Sequence, residues 1–221
     1  MKVLFCAYRT WAIETYDVIK NQNPSLDINL ARSEEEFYFY INEWNHPDII
    51  VMVGWSWIIP KEIVEQLYVV GFHPSDLPNY SGGSPIQHQI IEGIEQTKGT
   101  LFRASPILDS GPIVYKETLD LSGDMTNIFK NLTECSTRLV GKFLQNYPNV
   151  PNLLQEKTSQ PRKRLKPKDS KITKLQIEEM TSKQLYNFIR GRGDPYPNVY
   201  LEDSSGKLFF KEVRYEEKKN D

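Results

Sequence analysis

The chain has 221 residues, of which 39% are hydrophobic and 12% aromatic, and this composition predicts one well-packed main domain with an appendage. A formal net charge of −2 gives no indication of binding to nucleic acid or a membrane, although residues 151–221 are basic, with 16 Lys and Arg against 11 Asp and Glu. Two cysteines exclude a disulfide framework and a cysteine zinc cluster, and the sequence has neither a signal pattern nor an 18-residue apolar run, which predicts a cytoplasmic protein.

The first 73 residues alternate short apolar runs with helical patterns. We predict strands at 2–7, 27–30, 48–54 and 69–73, separated by helices at 10–20, 34–45 and 61–67. Thr10 is the predicted N-cap of the first helix, and Ser33 with Glu36 has the pattern of a capping box. This alternation predicts an α/β fold, with a Rossmann-like, mostly parallel sheet and helices on both faces.

The next elements are a helix at 84–92, two strands at 99–106 and 111–119, and a long amphipathic helix from about 122 to 147. Two prolines follow that helix, so we divide the chain into a main domain at 1–150 and a connector with a small appendage at 151–221. The basic stretch 162–168 is typical of a solvated linker. The appendage is predicted as a helix at 181–190 and a β-hairpin from strands at 199–201 and 207–215, too small to stand without packing on the main domain or on a second copy.

His73 ends the last of the four apolar strands and is followed by a rigid loop rich in Pro and Gly. Ligands of parallel sheets bind at the carboxyl ends of the strands, where we expect His73, Asp109 and segment 54–60 to lie. A neutral imidazole can take a proton from an attacking amine, and a nearby carboxylate can orient the ring. Asp109 is the first candidate for that carboxylate, although an Asp before Ser-Gly also suits a simple turn, and Asp76 is the second. His46 is expected at the opposite edge of the sheet.

Segment 54–60 contains two Trp and two Ile. Such an apolar loop indicates either a flat aromatic ligand that covers it or burial of both indoles against the following helix. Farther along the chain, the backbone N–H groups of Gly82 and Gly83 can bind an anion such as a sugar diphosphate, and His88 lies on the helix that follows them.

In their order and spacing, these motifs resemble the 10-formyltetrahydrofolate-dependent formyltransferases over roughly residues 1–145. The matching segments are Ile58-Ile59-Pro60, His73–Pro78, Gly83–Gln87 and Asp109–Ile113. The resemblance implies 10-formyltetrahydrofolate as co-substrate, no metal, and His73 and Asp109 as catalytic residues. It also implies a cofactor site formed by Trp55, Ser56, Trp57, Ile58, Ile59, Pro60 and Asp109.

The chain departs from the family pattern at one position. Family members have an asparagine two residues before the histidine, whereas this chain has Gly71. Loss of one oxyanion donor costs roughly 2.7–4 kcal/mol, so we expect Asn79, Gln87, His88 or a water held by Ser75 to replace it.

The short tail resembles that of sugar N-formyltransferases more than the large basic barrel of methionyl-tRNA formyltransferases. We therefore predict a homodimeric enzyme that formylates the primary amine of a nucleotide-linked amino sugar, such as a dideoxy sugar for surface polysaccharide or a pseudaminic-type sugar, with no nucleic acid or membrane partner. The predicted substrate-binding residues are Ser75, Asn79, Gly82, Gly83, Gln87 and His88. The alternatives are a non-catalytic folate or nucleotide-sugar binding protein and a methionyl-tRNA formyltransferase.

Overall fold

The computed structural model describes residues 1–44, 46–156 and 160–218. Its main element is a six-stranded sheet with the strand order β2-β1-β3-β4-β5-β6. The first four of these strands are parallel, and β5 and β6 run antiparallel to their neighbours. In chain order the elements are β1 (Lys2–Cys6), α1 (Thr10–Gln22), β2 (Asp27–Ala31), α2 (Glu34–Glu43), β3 (Ile49–Val53), α3 (Lys61–Gln66), β4 (Tyr68–His73), α4 (Pro85–Ile91), β5 (Gln96–Arg103), β6 (Ile113–Asp120) and α5 (Met125–Asn146).

Helices cover both faces of this sheet, as the apolar strand runs predict. Along β1, Val3 and Phe5 belong to the larger core with residues of α1 and α5, whereas Leu4 and Cys6 belong to a second core with residues of α2 and α3. Because side chains alternate along a strand, the apolar run Val3–Cys6 supplies both cores. The Rossmann-like α/β prediction is therefore confirmed.

Two local predictions need correction. Thr10 is the first residue of α1 rather than its cap, since the N-cap position is Arg9, whose side chain makes no capping hydrogen bond. Ser33 does cap α2 by accepting from the N–H of Glu36, but the Glu36 carboxylate accepts from the N–H of Arg32, outside the predicted box.

The appendage contains more structure than the sequence indicates. It consists of a short 3-10 turn at Pro167–Ser170, β7 (Lys171–Ile172), α6 (Lys174–Glu179), α7 (Ser182–Arg190), β8 (Val199–Asp203) and β9 (Gly206–Phe210). Its sheet has the order β7-β8-β9, so the predicted hairpin has gained a strand. A strand of two residues and a helix of six are too short to produce a recognisable periodicity.

The appendage packs on the main domain. Arg190 of α7 donates from Nη1 to the backbone oxygens of Leu121 and Gly123, at 2.7 and 3.0 Å. Gly191 lies against Ile90 of α4, where a Cβ would come within 3.1 Å of the Ile90 side chain. The predicted connector includes residues 157–159, which lie outside the described residues. Among the described helices, none has the length and hydropathy needed to cross a membrane.

Candidate active site

The structure brings His73 and Asp109 together. His73 is 7% exposed at the end of β4, and its Nε2 lies 2.9 Å from the backbone oxygen of Tyr80. A carbonyl oxygen can only accept, so Nε2 donates this hydrogen bond. Nδ1 lies 3.6 Å from Oδ2 of Asp109. The ring nitrogen that does not bind Tyr80 is thus the one that faces the carboxylate.

Asp109 reaches this position by a route that the sequence analysis did not predict. β5 is antiparallel to β4, and its last residue, Arg103, pairs with Val70. β5 passes His73 at Thr100 and, at ~3.3 Å a residue, ends about 10 Å beyond it, towards the opposite end of the sheet. The connection 104–112 between β5 and β6 returns to His73. The expectation that Asp109 follows the carboxyl end of a parallel strand was wrong, although the two residues do meet.

Asp109 has a strained backbone that its surroundings hold in place. Its φ is +50°, in the left-handed region that non-glycine residues seldom adopt. Oδ2 accepts a hydrogen bond of 2.8 Å from the N–H of Gly82. Nε2 of Gln155 donates to the backbone oxygens of Asp109 and Gly111, at 2.9 and 2.6 Å. Two residues before Gln155, the backbone of Leu153 pairs with that of Ile113, the first residue of β6. This pairing holds the connector beside Asp109, within reach of the Gln155 side chain.

Tyr80 controls the other side of the imidazole. Its φ is +55°, and its hydroxyl donates to Oε2 of Glu92 at 2.6 Å. Arg162 of the connector binds the same carboxylate at 2.7 Å, and its guanidinium lies 4.9 Å from the Tyr80 ring centroid. Burial raises the pKa of Glu92, but the hydrogen bonds from Tyr80 and Arg162 bring that pKa below its ordinary value. The orientation of His73 therefore depends on α4 and on the connector.

Gln155 and Tyr80 are functional candidates that the sequence analysis missed. Gln155 lies in the connector without a motif around it, and Tyr80 acts through its backbone oxygen, which any residue has. The one available signal for Tyr80 is its place in the Pro- and Gly-rich loop, where unusual backbone angles are expected.

Gly71 lies where the family has an asparagine, and its surroundings are filled. A Cβ at this position would lie 3.0 Å from Cε1 of Phe102 on β5 and 3.3 Å from Cε of Met52 on β3. Side chains from both neighbouring strands thus cover the place of the missing amide, and an oxyanion donor has to come from elsewhere.

The predicted replacements differ in their availability. Ser75 is fully buried and its hydroxyl donates to the backbone oxygen of Asn79 at 2.6 Å, so it does not face a ligand. The side chain of Asn79 is exposed. Gln87 is 5% exposed and lowers the pKa of Tyr196 in the appendage. Nε2 of His88 donates to the backbone oxygen of Lys163 in the connector at 2.9 Å.

The two glycine N–H groups are already used inside the chain. Gly82 donates to Asp109, and Gly83 donates to the backbone oxygen of Arg162 at 2.8 Å. Neither group is free for the anion that the sequence analysis assigned to it. The glycines instead allow the connector to pass closely, since a Cβ on Gly83 would lie 2.5 Å from Cα of Arg164.

The indoles of segment 54–60 are partly buried, and Trp55 packs on the core cluster to which Val64 of α3 belongs. The rings of Trp55 and Trp57 lie 4.6 Å apart, with Trp57 edge-on to Tyr8 at 4.9 Å and Trp55 tilted against Phe37 of α2 at 6.1 Å. The buried N–H of Trp55 has no partner among the described residues.

The most exposed apolar side chain of this loop is Ile58, at 83%, whereas Ile59 is buried and Pro60 precedes α3. Ile107 and Leu108, just before Asp109, are also largely exposed. Apolar side chains displayed on two loops of the site fit a flat aromatic ligand such as a pterin.

His46 lies at the other end of the sheet, as predicted. It lines a shallow concavity of about 560 Å³ with Tyr68 and Arg103 that contains neither His73 nor Asp109.

A formyl transferase family model matches residues 15–133. Among curated proteins, the methionyl-tRNA formyltransferase of Caldicellulosiruptor saccharolyticus is 29% identical over 163 residues, which are 72% of this chain and 51% of that protein. The chain thus spans about half the length of this relative.

Two solved structures show how far the fold is shared. A methionyl-tRNA formyltransferase from Clostridium thermocellum superposes with a TM-score of 0.87 at 28% identity, over 98% of this chain and 94% of that one. A sugar N-formyltransferase from Shewanella sp. superposes with a TM-score of 0.78 at 16% identity, over 99% of each chain. Because the family model covers more than half of the residues, the chain belongs to the formyl transferase family.

Proposed function

We propose that this chain is a cytoplasmic enzyme that transfers the formyl group of 10-formyltetrahydrofolate to the primary amine of a nucleotide-linked amino sugar. The observation that carries the proposal is the buried pair of His73 and Asp109, with Nδ1 of the ring 3.6 Å from Oδ2 of the carboxylate and Nε2 bound to Tyr80. This arrangement suits a reaction in which a neutral amine attacks a carbonyl carbon and has to lose a proton.

The chemistry assigned to the two residues follows from their geometry. The amine nitrogen attacks the formyl carbon, and the bond from that carbon to N10 of the folate breaks once the tetrahedral intermediate has formed. Nδ1 of His73 takes the amine proton, directly or through a water, and returns it to the departing N10. Asp109 stabilises the imidazolium in the interval, because its Oδ2 lies 3.6 Å from Nδ1, the nitrogen that takes the proton. Tyr80 keeps the ring in the tautomer that this step needs.

The co-substrate is assigned to the loop at Trp55–Pro60 and to the turn at Asp109. Exposed Ile58, Ile107 and Leu108 offer apolar contacts to the flat ring system, and the buried N–H of Trp55 is an unused donor in the same loop. In this proposal, backbone groups at Asp109 fix the orientation of the co-substrate.

A sugar acceptor is supported by the extent of the likeness to the Shewanella enzyme, which includes the appendage. The second candidate acceptor is methionyl-tRNA, the substrate named for the Caldicellulosiruptor and Clostridium relatives. Exposed Lys163, Lys166 and Lys168 on the connector favour this reading. A third candidate is a binding protein without activity, which the missing asparagine at Gly71 favours.

A homodimer belongs to the same proposal. Leu208 and Phe209 on β9, the edge strand of the appendage sheet, are 59% and 54% exposed, which suits a second copy as the covering partner.

The test is to incubate the purified chain with 10-formyltetrahydrofolate and either nucleotide-linked amino sugars or methionyl-tRNA. Release of tetrahydrofolate in step with a formylated sugar supports the proposal. Formylation of tRNA alone supports the second candidate. Folate binding without turnover on any amine supports the third and contradicts both enzyme assignments.

A further inference from the structure

Five side chains from separate parts of the chain meet beside the candidate active site: Tyr8 and Arg9 after β1, Gln87 on α4, Arg164 on the connector and Tyr196 before β8. We call them the Arg9–Arg164 cluster. The Arg9 guanidinium lies 5.1 Å from the Tyr8 ring centroid and 5.6 Å from that of Tyr196. Gln87 lowers the pKa of the Tyr196 hydroxyl. The cluster joins the main domain to the appendage.

The two guanidinium groups are linked through the same side chains. Arg9 lies over the rings of Tyr8 and Tyr196, Tyr8 hydrogen bonds with Ser56, and Arg164 contacts Ser56. Burial raises the pKa of Tyr196, and the positive charges of Arg9 and Arg164 oppose that rise. Two cations in one neighbourhood favour an anion beside them.

No carboxylate in the described part of the chain does so. Arg162, two residues before Arg164, forms an ion pair with Glu92 at 2.7 Å, but neither Arg9 nor Arg164 has an acidic side chain within 4 Å there. Two guanidinium groups without a carboxylate partner among the described residues are suited to a phosphate, which accepts paired hydrogen bonds from each.

The cluster lies beside two loops of the candidate site, the one that contains Ser56 and the one that contains Gly82 and Gly83. Nη1 of Arg164 is 3.4 Å from Oγ of Ser56, in the loop assigned to the folate, and Ser56 hydrogen bonds with Tyr8 at 2.7 Å. The backbone of Arg164 lies against Gly83, next to the Gly82 N–H that binds Asp109. An anion held by the two arginines would therefore be anchored next to the reacting groups.

We propose that Arg9 and Arg164 bind a phosphate group of the acceptor, with Gln87 and Tyr196 lining the same subsite. The acceptor class is thereby a phosphorylated amine, and a nucleoside diphosphate linked to an amino sugar supplies both features. This inference rests on the proposed function, because it assigns the acceptor side of the same site.

The test measures ligand binding and turnover separately. UDP, dTDP and inorganic pyrophosphate are titrated into the full chain by calorimetry without folate, using the wild type and the variants Arg9→Gln and Arg164→Gln. We expect at least one diphosphate to bind and each substitution to weaken it roughly tenfold to a hundredfold. Lys168→Gln, which removes an exposed charge of the same connector, is the matched control and should bind like the wild type.

The results distinguish a failure of the phosphate subsite from a failure of the proposed function. Equal diphosphate binding by wild type and both arginine variants overturns the phosphate subsite, even where sugars are formylated. Weakened binding in the variants supports the subsite, even where no amine is formylated and the proposed function fails. Binding of methionyl-tRNA without binding of any diphosphate overturns the inference.

Discussion

Replacement of Asp109 by Asn removes the negative charge that faces Nδ1 of His73 and changes the side-chain volume very little. At 3.6 Å, a carboxylate and an imidazolium attract each other by about 4.6 kcal/mol at an effective dielectric constant of about 20, and by half as much if solvation doubles that constant. If the attraction acts only while His73 is protonated during the reaction, its loss raises the barrier by the same energy. In that case kcat falls by a factor between about 50 and about 2,000. The Asn oxygen can still accept the N–H of Gly82, so the turn is expected to keep its conformation.

The assay follows tetrahydrofolate release at saturating concentrations of both substrates, with circular dichroism as a check on folding. Asp76→Asn is the control, because this carboxylate lies in the loop after His73 but pairs with Lys116 instead of the imidazole. We expect Asp76→Asn to stay within about twofold of the wild type, by the small contribution of exposed ion pairs. A folded Asp109→Asn variant with a kcat within threefold of the wild type would refute the assignment of His73 and Asp109.

The remaining predictions concern the residues around this pair. Gln155→Ala should lower kcat roughly tenfold with little change in the acceptor KM, since two charge-neutral hydrogen bonds to the Asp109 turn are lost; an unchanged kcat would contradict this positioning role. Glu92→Gln should reduce kcat a few-fold by loosening Tyr80, and an increase in the acceptor KM alone would speak against it. Gly71→Asn should lower the free energy of unfolding by about 1–3 kcal/mol in denaturant titrations and should not raise turnover, because Phe102 and Met52 fill the space. Phe209→Lys should convert the dimer to monomer in light scattering; a wild type that is already monomeric excludes this dimer.

The sequence predicts the main sheet well because the apolar runs leave little choice. Strands such as β1 are apolar at every position after Lys2, and only a sheet covered on both faces buries them. His73 follows from the same pattern, since it ends such a run. Hydrophobic periodicity does not reveal that β5 runs antiparallel to β4, because the pattern is the same for both strand directions. The route by which Asp109 reaches His73 was therefore beyond the sequence analysis.

The candidate site is predictable where it depends on motifs and unpredictable where it depends on the connector. The basic stretch at 162–168 has the composition of a solvated linker, yet the backbone of Arg162 pairs with Gly82 like a short strand. Side-chain type reveals nothing about such backbone pairing. The contacts of Gln155 and Arg164 likewise depend on where the connector lies, which a single sequence does not specify.

The pairing of Arg162 with Gly82 has a consequence for dividing or recombining this chain. A fragment that stops at residue 150 would retain His73 and Asp109 but lose Gln155 and Arg162, and with them the supports of Asp109 and Tyr80. Grafting a foreign tail at that boundary would disturb turnover as well as acceptor choice. Chimeras that are intended to change which acceptor is bound should keep residues 151–165 together with their original residues 1–150.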